Sequence, residues 1–219
     1  MDEALALKLE LEAAPPATQA GEIAFMDYAL SFSLPPTPAI FLDRDGVINV
    51  RPPEHQYAVR QEDIHFITGC DLALGRLWRL PYPLLVVTNQ PAVGMGLVSQ
   101  EQLDELHDWM LEVLWKQGVH ISQVYACPHA PEDECECRKP KPGLLLRAAR
   151  ELHLDLPRSY MIGDSACDAE AAWAAGVGSV YLVLPDDGSD PCPPEPQGEY
   201  WVVEDLASAV DAILEREGR

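Results

Sequence analysis

Short apolar runs alternate along this chain with longer stretches whose apolar positions recur three and four residues apart. The first kind reads as buried strand and the second as amphipathic helix. The runs at 39–42, 84–87, 121–126, 158–163 and 177–184 are the expected strands. Helical spacing covers 71–80, where Pro81 and Pro83 stop it, then 99–117, the LLLRAARELHL stretch after Pro142-Gly143, the small residues leading to Gly176, and 202–216. The helix at 99–117 is the clearest: Ser99 and Gln102 form a capping box, and Leu103, Leu106, Met110 and Leu114 make a stripe for the core. Strands alternating with helices indicate one α/β domain.

Several of the strands run directly into polar groups. The first meets Asp43-x-Asp45 and then Gly46, whose freedom lets the backbone turn away behind two carboxylates. Such a pair suits a nucleophile beside a general acid/base, with a hard cation to offset their repulsion, and it also suits a plain solvated turn. The second strand ends in Thr88-Asn89-Gln90, a hydroxyl and an amide able to bond phosphoryl oxygens or simply to make a turn. The third leads into CPHAPEDECECRKPKPG, where Cys127, His129, Cys135 and Cys137 supply four zinc ligands from two short arms. A closed Cys3His set makes such a zinc structural; the alternative is free thiols in a loop. The fourth strand ends in Asp164-Ser165-x-x-Asp168.

Charge changes the weight of these residues. With 15 Lys+Arg against 36 Asp+Glu, the net charge of −21 opposes binding to nucleic acid and to anionic membrane surfaces. It also repels a phosphorylated substrate at long range, so a site for one must gather cations locally. Arg138, Lys139 and Lys141, directly after the last clustered cysteine, are the best such gathering. No apolar run approaches the ~20 residues of a membrane span, and no basic n-region precedes an apolar core, so the expected location is cytoplasmic. In that compartment clustered cysteines favour metal over disulfides.

FLDRDGVIN resembles motif I of the haloacid dehalogenase (HAD) superfamily of aspartyl-phosphate phosphatases. TNQ resembles motif II, Arg138-Lys139 motif III, and GDSxxD motif IV, in that order along the chain. Cys-x-His…Cys-x-Cys just before Arg-Lys-Pro resembles the zinc loop of the heptose-bisphosphate/histidinol-phosphate branch. The resemblance covers about 39–215. It implies a capless, Rossmann-like α/β fold, a parallel sheet with helices on both faces and a zinc-binding loop. It also implies a phosphatase for a small phosphorylated metabolite, a heptose 1,7-bisphosphate first and histidinol phosphate second, acting as a monomer with Mg²⁺ and Zn²⁺; a silent binding protein on the same fold is the rival of another class. By motif position, Asp43 is the nucleophile, Asp45 the acid/base and Lys139 the cation beside the transferring group. Thr88, Asn89 and Arg138 contact substrate, and Asp43, Asp45 through its backbone carbonyl, and Asp164 hold Mg²⁺, with Asp168 in support.

The segment after Asn49 matches in length the β-hairpin flap that follows motif I in the superfamily; from it Arg51 and Tyr57 could reach a substrate, although surface-loop residues with no contact are the commoner case. Two departures bear on the substrate more than on the chemistry: Gly94-Met95-Gly96 stands where the family commonly has Ala-Arg-Gly, and Ser165 stands where a basic residue is usual. Residues 1–37 read as an appendage with no assigned chemistry, and 38–219 as the phosphatase domain.

Overall fold

The computed structural model describes residues 35–185, 190–192 and 196–219. The expectation for residues 1–37 therefore lies almost wholly outside the described residues. Thr37–Arg219 is one compact unit.

Six parallel strands form the sheet: β1 Ile40–Leu42, β2 Leu84–Asn89, β3 Gln123–Cys127, β4 Tyr160–Gly163, β5 Ser179–Val183 and β6 Trp201–Val203, in spatial order β3-β2-β1-β4-β5-β6. Both faces are covered, which is why the central strands are apolar throughout rather than alternating. Ile40, Leu42, Leu84, Val86 and Ile162 face one core with α1 (Cys70–Leu77), α2 (Gln100–Lys116) and α5 (Leu206–Arg216). Phe41, Leu85, Val87, Met161 and Leu182 face the other with α3 (Gly143–Leu152) and α4 (Ala166–Ala175). This is the expected Rossmann-like α/β fold, and no cap domain is inserted among the described residues. Among them no helix is long and apolar enough to cross a membrane.

Ser99 caps α2 through the Gln102 N–H while Gln102 Oε1 accepts from the Ser99 N–H, the reciprocal box its sequence indicates. Three expectations change. The β-hairpin flap is reduced to its base, where Val50 N–H donates to the His65 carbonyl at 2.8 Å and Ile67 N–H to that of Ile48 at 3.0 Å. Beyond it Pro52 and Pro53 bring no N–H for a ladder, and the segment runs irregularly through one 3₁₀ turn, Gln61–Asp63. The closing helix begins at Leu206, where Asp205 Oδ1 accepts from the Ser208 N–H at 2.8 Å. Val202 and Val203, read as the start of that helix, belong instead to the edge strand β6, paired with Tyr181–Val183.

Candidate active site

Strand order reverses between β1 and β4, and in an open parallel sheet the crevice beyond the carboxyl ends at such a switch is where ligands bind. Asp43 leaves β1 at that point, its N–H donating to the Ile162 carbonyl of β4 at 2.9 Å, and Asp164 follows the end of β4. Lys139 comes in from the loop after β3 and is 2% exposed. Its Nζ donates to Asp168 Oδ1 at 2.6 Å and to the Val87 carbonyl at 2.8 Å, and lies 3.0 Å from Asp43 Oδ1. Burial opposes the ammonium charge, but Asp168 and Asp43 outweigh it and hold the Lys139 pKa above the usual lysine value.

Carboxylate oxygens of Asp43, Asp164 and Asp168 lie within 4.8 Å of one another. Asp168 is committed: besides Lys139 it accepts from the Asp164 N–H and the Ser165 hydroxyl. Burial, opposed by Lys139 and reinforced by Asp168, Asp164 and Asp45, pushes Asp43 up to about 7. Burial likewise pushes Asp164 up to about 6, against the pull of Arg51. Arg51 Nε donates to Asp164 Oδ2 at 2.8 Å, while Nη2 lies 2.5 Å from Oδ1 as an ion pair without a hydrogen bond's alignment. The site thus holds more negative charge than its own cations offset, and an oxygen-liganded divalent cation fits it. Gly46 leaves room for this: a Cβ there would stand 1.6 Å from Asp164 Oδ2, and its φ of +86° is one that side chains rarely adopt.

The Asp45 carboxylate lies outside that group. Its Oδ1 accepts from Arg44 Nε at 3.1 Å and Asn49 Nδ2 at 2.8 Å, and its Oδ2 from Arg44 Nη2 at 3.0 Å and Gln90 Nε2 at 2.9 Å. Gln90 Nε2 also donates to the buried Thr88 hydroxyl at 3.0 Å, which ties Thr88 and Gln90 to the Asp45 carboxylate.

The zinc-loop side chains converge as well. Cys127, Cys135 and Cys137 Sγ atoms are 3.2–3.5 Å apart, and His129 Nδ1 is 3.7 Å from Cys127 Sγ and 3.2 Å from Cys137 Sγ. A tetrahedron of thiolates with a Zn–S bond near 2.3 Å has edges of roughly 3.8 Å. The donor set and its spacing fit that ion.

The HAD-hydrolase-like family profile matches residues 136–209. The chain is 39% identical over 189 residues to D-glycero-beta-D-manno-heptose-1,7-bisphosphate 7-phosphatase of Yersinia pestis, covering 82% of this chain and 96% of that one. It is 44% identical over 153 residues to the enzyme of the same name from Vibrio cholerae, covering 67% and 81%. The crystal structure of D,D-heptose 1,7-bisphosphate phosphatase from B. bronchiseptica, complexed with magnesium and phosphate, superposes with a TM-score of 0.75 at 32% identity, over 82% of this chain and 99% of that one. The chain belongs to the heptose-bisphosphate phosphatase family of HAD-like hydrolases.

Within this HAD-like site, Asn89 is turned to the chain itself: Oδ1 accepts from the Lys139 N–H and Nδ2 donates to the Lys139 carbonyl, both at 3.0 Å. Arg138 is half-buried, and its Nη1 is buried with no hydrogen-bond partner among the described residues. Lys141 is used within the loop, donating to the Glu134 carbonyl and to Glu136 at 2.8 Å. Sequence reasoning assigned no role to Gln90, Asn49, Arg44 or His107. Gln90 and Arg44 lie inside the motifs that flagged their neighbours, whereas nothing in the helical stripe around His107 pointed to the site.

Proposed function

We propose that this chain is a Mg²⁺-dependent phosphoric monoester hydrolase that removes the 7-phosphate of D-glycero-β-D-manno-heptose 1,7-bisphosphate through an aspartyl-phosphate on Asp43. The observation that carries the reading is the buried Lys139 ammonium 3.0 Å from Asp43 Oδ1, at the carboxyl end of the central strands. Asp43 attacks phosphorus in line, and the bond to the sugar oxygen breaks as Asp45 protonates that oxygen. Asp45 then takes a proton from water, which attacks the aspartyl-phosphate and frees Asp43 and inorganic phosphate. Lys139 and Thr88 face the equatorial oxygens, where charge builds in the transition state, and the unpartnered Nη1 of Arg138 offers a donor to the substrate. Asn89 positions Lys139 through its backbone.

Asp43, Asp164 and the Asp45 backbone carbonyl would hold Mg²⁺, which when bound supplies positive charge against both the carboxylates and the phosphoryl oxygens. Zn²⁺ in the Cys3His set would have a structural role, with no coordination position left for water or phosphate. All these side chains come from one chain, which supports a monomer as the working unit, and the reduced thiols of a metal loop suit the cytoplasm.

Steady-state kinetics on a panel of phosphorylated sugars and histidinol phosphate test the reading. The heptose bisphosphate is expected to give the highest kcat/KM, with activity dependent on Mg²⁺. Asp43→Asn is expected to fold, to melt no lower than wild type because it removes a charge that burial disfavours, and to show no turnover. Appreciable residual activity in Asp43→Asn would refute the covalent route. A higher kcat/KM for histidinol phosphate would overturn the substrate while leaving the chemistry.

A further inference from the structure

Arg44, between the two aspartates of motif I, is 0% exposed. A guanidinium has five N–H donors and no acceptor, and burying it leaves every donor in need of a partner. Nε and Nη2 take the two oxygens of Asp45 as a fork, and Nη2 also donates to the Ala58 carbonyl at 3.3 Å. Nη1 faces His107 Nε2 at 3.2 Å. His107 sits on the buried face of α2 among Leu103, Leu106 and Met110, itself 5% exposed, at a position where helical spacing would suit another apolar residue. Since Arg44 only donates, Nε2 is the accepting nitrogen and the ring proton is on Nδ1. Burial first, and then the Arg44 cation, push the His107 pKa down to about 3, so the accepting lone pair is present at every working pH.

We infer that His107, acting through Arg44, is a positioning residue for the acid/base carboxylate of Asp45. The inference rests on the phosphatase reading, in which Asp45 protonates the leaving oxygen. Asp45 accepts four N–H groups, two on each oxygen, and the single-donor contact of Asn49 or Gln90 opens when Asp45 takes up the proton it delivers. Asn49 and Gln90 each touch one oxygen, whereas the planar Arg44 fork spans both and so sets the plane of the carboxylate. With Nη1 anchored on α2 and Nη2 on the loop after β1, that plane is fixed relative to both. Remove the acceptor on α2, and Nη1 keeps a buried, unpaired N–H that finds a partner only by turning the fork away from Asp45. Misplacing a reacting group by about 1 Å costs on the order of a hundredfold in rate.

The test compares His107→Leu, which fills the space without an acceptor, with His107→Gln, whose Oε1 can accept from Arg44. Each is assayed on the sugar phosphate and on 4-nitrophenyl phosphate, with folding followed by circular dichroism. The sugar alkoxide must be protonated to leave, whereas 4-nitrophenolate leaves without it. For His107→Leu, kcat/KM on the sugar phosphate is expected to fall about tenfold or more, and the loss on 4-nitrophenyl phosphate to be several-fold smaller. His107→Gln is expected to return the sugar-phosphate value to within about threefold of wild type. A general loosening of the core would lower both substrates alike. Equal losses on the two substrates, no loss, or a folded His107→Gln as impaired as His107→Leu overturn the inference. Should His107→Leu not fold, His107→Met, an unbranched helix former, is read by the same two-substrate comparison. Wild-type protein that hydrolyses neither substrate would instead overturn the phosphatase reading beneath it.

Discussion

Gly46 occupies the closest approach in the site, with Asp164 Oδ2 where its Cβ would be. Gly46→Ala must therefore displace the Asp164 carboxylate and also hold a positive φ, a strain on the order of 1–3 kcal/mol. It is expected to lower the melting temperature and to weaken Mg²⁺ binding, measured by calorimetry on the purified protein; unchanged Mg²⁺ affinity would separate Asp164 from the metal. The same scale shows what a motif string carries and what it omits. Asp43 and Asp164 stand out in sequence because a charged residue at the end of an apolar strand has no packing reason to be there, and Lys139 because it belongs to a basic cluster in a chain of net charge −21. Asn89 is equally visible, yet in the structure both ends of its amide are engaged by the Lys139 backbone. Arg51, for which the sequence left both a substrate contact and a free surface-loop position open, lies on Asp164.

Among the elements, the zinc loop has the most consequence. It is wedged on two sides: Gly94 N–H donates to the Pro128 carbonyl at 2.7 Å, and a Cβ on Gly143 at the start of α3 would meet the Glu136 carbonyl at 2.2 Å. Cys127 pairs in register with Asn89 of β2, so the loop that presents Arg138 and Lys139 is joined to the sheet at its base. Cys135→Ser is expected to lose zinc, to leave the sheet folded and to lower kcat/KM while retaining measurable kcat, because misplaced cations lose capture and orientation together. Elemental analysis, circular dichroism and steady-state kinetics on the one variant check it. A folded, zinc-free protein without detectable kcat at saturating substrate would make the zinc catalytic.

For the whole molecule, a charge of −21 sets the background against which the buried acids titrate. Asp43 at about 7 and Asp164 at about 6 both lie above their unfolded value near 3.8. Between about pH 4 and pH 7 the native state therefore binds more protons than the unfolded chain, and stability falls as the pH rises through that window. A divalent cation on the ionised carboxylates reverses the loss, so Mg²⁺ is expected to raise the melting temperature more at pH 8 than at pH 5. Melts at both pH values, with and without Mg²⁺ and without chelator, check this; an equal rise at the two would place the metal elsewhere. The sequence alone determined the alternation of strand and helix, the capping box of α2 and the order of the polar strand ends, because periodicity and caps report the burial and backbone needs of a residue within its own segment. It missed β6, three residues with little burial whose strand character comes from pairing with Tyr181–Val183. It also missed the contact of Arg44 with His107, 63 residues away, and that of Arg51 with Asp164, 113 residues away. Those were decided by tertiary structure, because a buried charge is satisfied by whichever groups the crossovers bring beside it, and local pattern does not encode that neighbour.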